Sequence, residues 1–130
     1  MSTINAYRSA QVLTAPPEQL VVLLLERAVR EQDEAIAAME RGARQAWIAN
    51  LNHCRAIFVE LQIALDHTVA PGLTATLHGL YSGALRKIAE ASRTGDIEIT
   101  TQLRDATAIL HQAWIEVLHA PPEDAARDVA

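Results

Sequence analysis

One cysteine, five glycines, five prolines and five aromatic residues (two Trp, two Tyr, one Phe) are spread over 130 positions, and each scarcity narrows what the chain can be. A lone Cys54 cannot close an internal disulfide, so the fold must hold without covalent staples, as expected in a reducing compartment. No apolar run approaches the roughly 20 residues that span a bilayer. No charged stretch followed by an apolar core opens the sequence, so Sec export is not expected and a cytoplasmic, soluble protein is. Nor is there a basic block: Arg27, Arg30, Arg41, Arg44, Arg55, Arg86, Arg93 and Arg104 sit among acids in a chain of net charge −5. Nucleic acid is therefore not an expected partner.

Residues able to do chemistry are equally sparse. A di-iron bundle needs two Glu-x-x-His pairs and two further inward Glu residues, whereas Glu116 and His119 form one pair with no counterpart. His53, His67, His78 and His111 have no second histidine three or four positions away. Cys54 falls on an apolar stripe, and His53 beside it points about 100° away on a helix. There is no Gly-rich phosphate loop and no Gly-x-Ser-x-Gly turn. No catalytic residue, metal site or cofactor is expected. Glu26, Glu31, Asp33 and Glu34 read as a solvated helix face.

What the chain does have is Ala, Leu, Ile and Val at helical spacing in an otherwise glycine-poor sequence, which favours helix over sheet. Pro16-Pro17 supplies a first turn, and a helix is expected over about 17–41 on the stripe Val21, Leu24, Ala28, Gln32, Ala35 and Met39, with polar Gln32 at the rim. Gly42 should end it as a left-handed cap. A second helix over about 43–67 carries a heptad seam, Trp47, Leu51, Cys54, Phe58, Leu61 and Leu65. Pro71-Gly72 marks a loop. A third helix over about 73–94 has Leu73, Leu77, Leu80, Tyr81, Ala84, Ile88 and Ala91 on one side, with Gly83 inside it for close helix packing. Thr94-Gly95-Asp96 combines a C-cap with an N-cap. The last helix, about 97–118, has the stripe Ile99, Leu103, Ala106, Leu110, Ala113 or Trp114, and Val117. Short loops between long helices give an all-α, antiparallel up-down four-helix bundle at 14–119, with residues 1–13 packed on it and 120–130 a flexible tail.

The six-residue run Leu20 to Leu25 exceeds this scheme, because a helix turning 100° per residue points six consecutive side chains in every direction. Leu20, Val22, Leu23, Leu25, Ile57, Val59, Ile63, Ile109 and Ile115 all lie beyond what four seams need. Ile4, Tyr7, Ala10, Val12 and Leu13 form a spaced apolar set that suits a segment docked on a surface. The surplus predicts a groove for an amphipathic or extended apolar partner.

Several short motifs then line up. Asn5-Ala6-Tyr7, Val12-Leu13-Thr14-Ala15 with Pro17-Glu18-Gln19-Leu20, Glu60-Leu61 with Leu65-Asp66, Leu77-His78-Gly79-Leu80-Tyr81 with Ile88 and Ala91, and Ala113-Trp114 together resemble the flagellar secretion chaperone (FliS) family. The likeness is colinear from about residue 4 to residue 117. It implies a small cytoplasmic bundle that binds the otherwise disordered C-terminal segment of flagellin, prevents its premature polymerisation and aids delivery to flagellar export gate components. It also implies that Ile4 and Tyr7 to Leu13 lie over part of the apolar surface when no client is bound. With the apolar surplus, it points to Ile4, Tyr7, Leu13, Leu20, Leu23, Leu25, Ile57, Leu77, Tyr81, Leu110 and Trp114 as partner-binding residues, on a monomer or weak homodimer. The sequence departs from the family at Leu25, where relatives usually carry Tyr, at Gly83, where they carry a second aromatic, and at Ala43, where the usual aspartate is absent; ring loss would reshape the groove. The alternative is a self-associating helical-bundle module with a different protein client, its interface at Leu20 to Leu25.

Overall fold

The computed structural model describes residues 17–119 as four helices: α1 (Pro17–Glu40), α2 (Arg44–Ile63), α3 (Pro71–Thr94) and α4 (Ile97–His119). Residues 1–16 and 120–130 lie outside the described residues, and with them the expected N-terminal segment and tail. Each helix runs antiparallel to its chain neighbours, and α4 returns beside α1. Packing is most extensive for α1 with α4 and α1 with α2, and thinnest for α3 with α4. The all-α four-helix bundle expected from the periodicity is the fold observed.

The seams on α1 and α2 run as expected. Leu24, Ala28, Ala35 and Met39 from α1 meet Leu51, Cys54, Phe58 and Leu61 from α2 in one buried cluster, joined by Leu77, Tyr81, Ile88 and Ala91 from α3 and Leu103 from α4. Phe58 and Tyr81 pack with ring centroids 6.0 Å apart. Two expectations about polar residues are overturned. Gln32 lies not at the rim but fully buried. Glu31 is buried as well, because partners compensate it: Asn50 Nδ2 donates to Oε1 at 3.1 Å, His53 Nδ1 lies 2.9 Å from Oε2, and Arg27 lies 3.8 Å away.

The connections are made by local chemistry. After α1, Ala43 N donates to Ala38 O and Gly42 N to Met39 O, the paired bonds of a Schellman cap, with Gly42 at φ 70°. After α2, helix gives way at Ile63 rather than near His67, because Asp66 Oδ1 accepts from both the backbone N–H and the hydroxyl of Thr68. Such local bonding competes with helix, and it holds the Asp66 carboxyl below its ordinary value. Helix α3 then starts at Pro71, two residues earlier than expected, since proline suits a first helical position as well as a loop. Gly95 closes α3 at φ 67°, its N–H on Ala91 O, and Asp96 Oδ1 caps α4 by accepting from Glu98 N and Ile99 N.

Gly95 is constrained twice. A Cβ there would stand 2.6 Å from Cζ2 of Trp47, whose indole N–H is held by Ser92 O at 3.2 Å. Gly42 has the same backbone conformation with nothing within 4 Å of a Cβ. Gly42→Ala is therefore expected to cost only the left-handed strain, about 1–2 kcal/mol. Gly95→Ala should cost at least about 1 kcal/mol more through displaced packing, read by urea denaturation, with a change in Trp fluorescence for Gly95→Ala alone.

Candidate functional site

The flanks of α3 and α4 can be assigned from their contacts. Gln62 of α2 donates to Ser82 Oγ at 2.7 Å and to His78 O at 3.3 Å, which marks the α2 side of α3. At 100° per residue, Leu73 and Leu80 fall on the opposite flank, towards α4. On α4, Arg104 Nε donates to Asp33 Oδ1 and Thr107 accepts from Gln32, which marks the α1 side. Ala106, Ala113 and Val117 fall on the flank towards α3, with Ile109 at its outer edge.

All six of these apolar residues are exposed, Leu80 to 54% and Ile109 to 72%. This overturns the expectation that Leu73, Leu80, Ala106 and Val117 belong to the core, and of the pair Ala113 or Trp114 it is Trp114 that packs inward. The helices are set so that Thr74, Leu77, Tyr81, Ile88 and Ala91 point inward from α3, and Thr100, Leu103 and Thr107 from α4. The threonines can take core positions because their hydroxyls bond within the helix, Thr100 to Asp96 O and Thr107 to Leu103 O, each at 2.8 Å. An apolar seam between α3 and α4 is therefore left open. Leu77 is buried at its floor, Ala84, Leu110 and Trp114 pack against the core there, and the Trp114 indole contacts the Tyr81 hydroxyl.

Of the residues expected to bind a partner, Leu77, Leu110 and Trp114 fall along this seam, Leu77 buried at its floor and the other two partly covered, whereas Tyr81 is fully buried and belongs to the core. Leu20 is half-buried against the core and Leu23 half-buried on the outer face of α1, away from it. Leu25 and Ile57 are fully buried, and so are corrected from surface to core. The phase of α1 explains Leu25: it stands two turns before Gln32 on the side that meets α4. Along the run, Leu20 to Leu23 are partly covered and Leu24 and Leu25 are buried. Ile4, Tyr7 and Leu13 lie outside the described residues. Gly83 does not serve close helix packing, since a Cβ there would meet only Arg86 Nη2 at 3.6 Å. Leu73, Leu80, Ala106, Ala113 and Val117 were the residues missed as site candidates; the signal available was that α3 and α4 each offer two overlapping stripes, and only one of each can face inward.

Groups able to do chemistry are placed otherwise. Cys54 is fully buried and its thiol is pushed up to about 12, chiefly by desolvation, so it lacks the thiolate a nucleophile needs. Tyr81 is likewise raised to about 12 by burial, partly offset by Trp114. His67 and His78 meet edge to face at 5.8 Å, a pairing that helical spacing could not reveal because His67 lies in the loop. Among the described residues no group of three or more His, Cys, Asp or Glu could hold a metal, and no helix is long and apolar enough to cross a membrane.

The family model described as flagellar protein FliS matches residues 1–121. No curated protein matches the chain.

Two outcomes follow from this geometry. Leu80→Ser combined with Ile109→Ser should lower fluorescence of a hydrophobic dye bound to the free protein while shifting stability by no more than about 0.5 kcal/mol, because both side chains are already exposed. The raised pKa values of Cys54 and Tyr81 set an alkaline limit. Above pH 9 the unfolded thiol loses a proton that folded Cys54 keeps, so stability falls as pH rises towards 12, and Tyr81 adds to the slope above pH 10. Each such proton contributes at most about 1.4 kcal/mol per pH unit. Denaturant midpoints between pH 8 and 11 should fall less steeply for Cys54→Ala than for the natural chain.

Proposed function

The chain belongs to the FliS family of flagellar proteins, whose model matches residues 1–121, and on that basis we propose that it is a cytoplasmic flagellar export chaperone that binds the C-terminal segment of flagellin. It acts by binding and not by catalysis. The observation that carries the reading, beside the family, is the open apolar seam between α3 and α4.

The physics suits the role. A client segment that is disordered when free loses conformational entropy on binding, so the chaperone must offer extended apolar contact to offset it. Each Leu or Ile side chain fully buried contributes about 1.5–3 kcal/mol, and part of that sum is lost to ordering the client. Leu73 and Leu80 on one wall and Ile109, Ala113 and Val117 on the other are exposed in the free bundle and available for such burial. Small residues at Gly83, Ala84, Ala106 and Ala113 let a client backbone approach closely. While the client's apolar residues are held in the seam, they are withheld from other flagellin molecules, which is how binding opposes premature polymerisation.

Calorimetry with the cognate flagellin tests this. A one-to-one complex is expected that disappears when the C-terminal segment of flagellin is deleted. Leu80→Ser with Ile109→Ser should weaken binding at least tenfold, the equivalent of about 1.4 kcal/mol. Equal binding of intact and truncated flagellin would end the proposal.

A further inference from the structure

While apolar residues on the α3-facing flank of α4 are exposed, its α1-facing side makes polar contacts. Three ties lie along one side of α4. Gln32 Nε2 donates to Thr107 Oγ1 at 3.0 Å inside the core; Arg104 Nε donates to Asp33 Oδ1 at 2.9 Å; and the Thr100 hydroxyl lies 3.4 Å from Met39 Sδ. The central tie is specific in its protons. Thr107 has one hydroxyl proton, committed to Leu103 O, so it can only accept from the atom facing it, which fixes the orientation of the Gln32 amide. The second amide proton of Gln32 goes to Cys54 Sγ at 3.2 Å, so one side chain of α1 joins α2 and α4.

This arrangement is costly. Gln32 Oε1 is buried with no hydrogen-bond partner among the described residues, and so is Nε2 of His111, one turn beyond Thr107 on the same helix. An apolar side chain in place of Gln32 would remove the unsatisfied group at nearly the same volume. Meanwhile the apolar residues on the facing flanks of α3 and α4 stay in water, where burial against one another would be favourable. Turning α4 towards α3 would close the seam, but would strip Gln32 of Thr107 and leave more buried polar groups unpaired. Buried polar contacts that cost stability while selecting one register are a known device in helical assemblies.

We infer that the Gln32–Thr107 contact, with Cys54 on its other side, is a positioning lock that holds α4 on α1 and thereby sets the width of the α3–α4 seam. The lock positions the binding surface without touching a client. Its link to chaperone function rests on the reading above, but its structural content does not.

The test therefore reads geometry in the free protein. Nitroxide labels at Thr76→Cys and Glu116→Cys, both exposed and on the outer edges of the two seam walls, report the α3–α4 separation by pulsed electron resonance. Cys54, fully buried with its thiol protonated, stays unlabelled. Gln32→Leu with Thr107→Val is expected to shorten or broaden the label distance distribution, raise the melting temperature and reduce dye binding at least twofold. Thr107→Ser, which keeps the hydroxyl, should leave the distribution as in the natural chain. An unchanged distribution in the apolar variant, or an equal change with Thr107→Ser, overturns the lock. If the double variant does not fold, Gln32→Met, close in volume and apolar, is measured in its place by the same criteria. Because no client enters the distance measurement, its failure is distinguishable from a failure of flagellin binding.

Discussion

The rotation of α4 about its own axis is the constraint on which the rest of the bundle depends. Its sequence offers two apolar stripes. One runs through Ala106, Ala113 and Val117, and the other through Leu103, Leu110 and Trp114 with Thr100 and Thr107 interleaved. Only the second faces inward. Burying two threonines and leaving Val117 and Ile109 in water is the opposite of what hydrophobic burial alone would choose. It becomes intelligible once Gln32 is inside the core, since a buried amide needs hydrogen-bonding partners and the inward threonine supplies one.

The same point separates what was legible in the sequence from what was not. On α1 and α2 the apolar spacing had one solution, and the seams from Leu24 to Met39 and from Leu51 to Leu61 could be read directly. Turn chemistry was legible too, because Gly42, Gly95 and Asp96 act within a few residues of themselves. On α3 and α4 periodicity could not arbitrate, since Leu73 and Leu80 compete with Thr74 and Tyr81 for the inward position, and a scheme that treats threonine as polar picks the wrong members. The hydroxyl that disqualifies threonine on a hydrophobicity scale is satisfied by its own helix at Thr100 and Thr107. Gln32 was misplaced for a related reason: its partners, Cys54 and Thr107, are 22 and 75 residues away in sequence.

The six-residue run in α1 changes meaning in this light. Leu24 and Leu25 are both fully or almost fully buried, and Leu20 to Leu23 are partly covered, so the run serves the most extensively packed helix of the bundle. A helix that meets α2 on one side and α4 on the other needs apolar residues on a wide arc. Leu25, where the family usually carries Tyr, therefore bears on core volume near the α1–α4 contact. Gly83 is the departure that bears on the outer surface of α3, where the space for a side chain is open.

A chaperone for an unfolded segment faces a conflict between its own stability and its function. Exposed apolar flanks on adjacent helices tend to collapse on each other, and a bundle free to optimise its core would consume the surface that a client needs. An empty seam therefore requires something that opposes closure without filling the space. Polar contacts on the far side of α4 meet that requirement, because hydrogen bonds are directional and fix rotation, whereas apolar contacts are not and tolerate sliding. The unsatisfied oxygen of Gln32 and the exposed leucines of α3 are, on this argument, two consequences of one arrangement: the interior accepts a poorly satisfied amide so that the surface can keep an apolar seam.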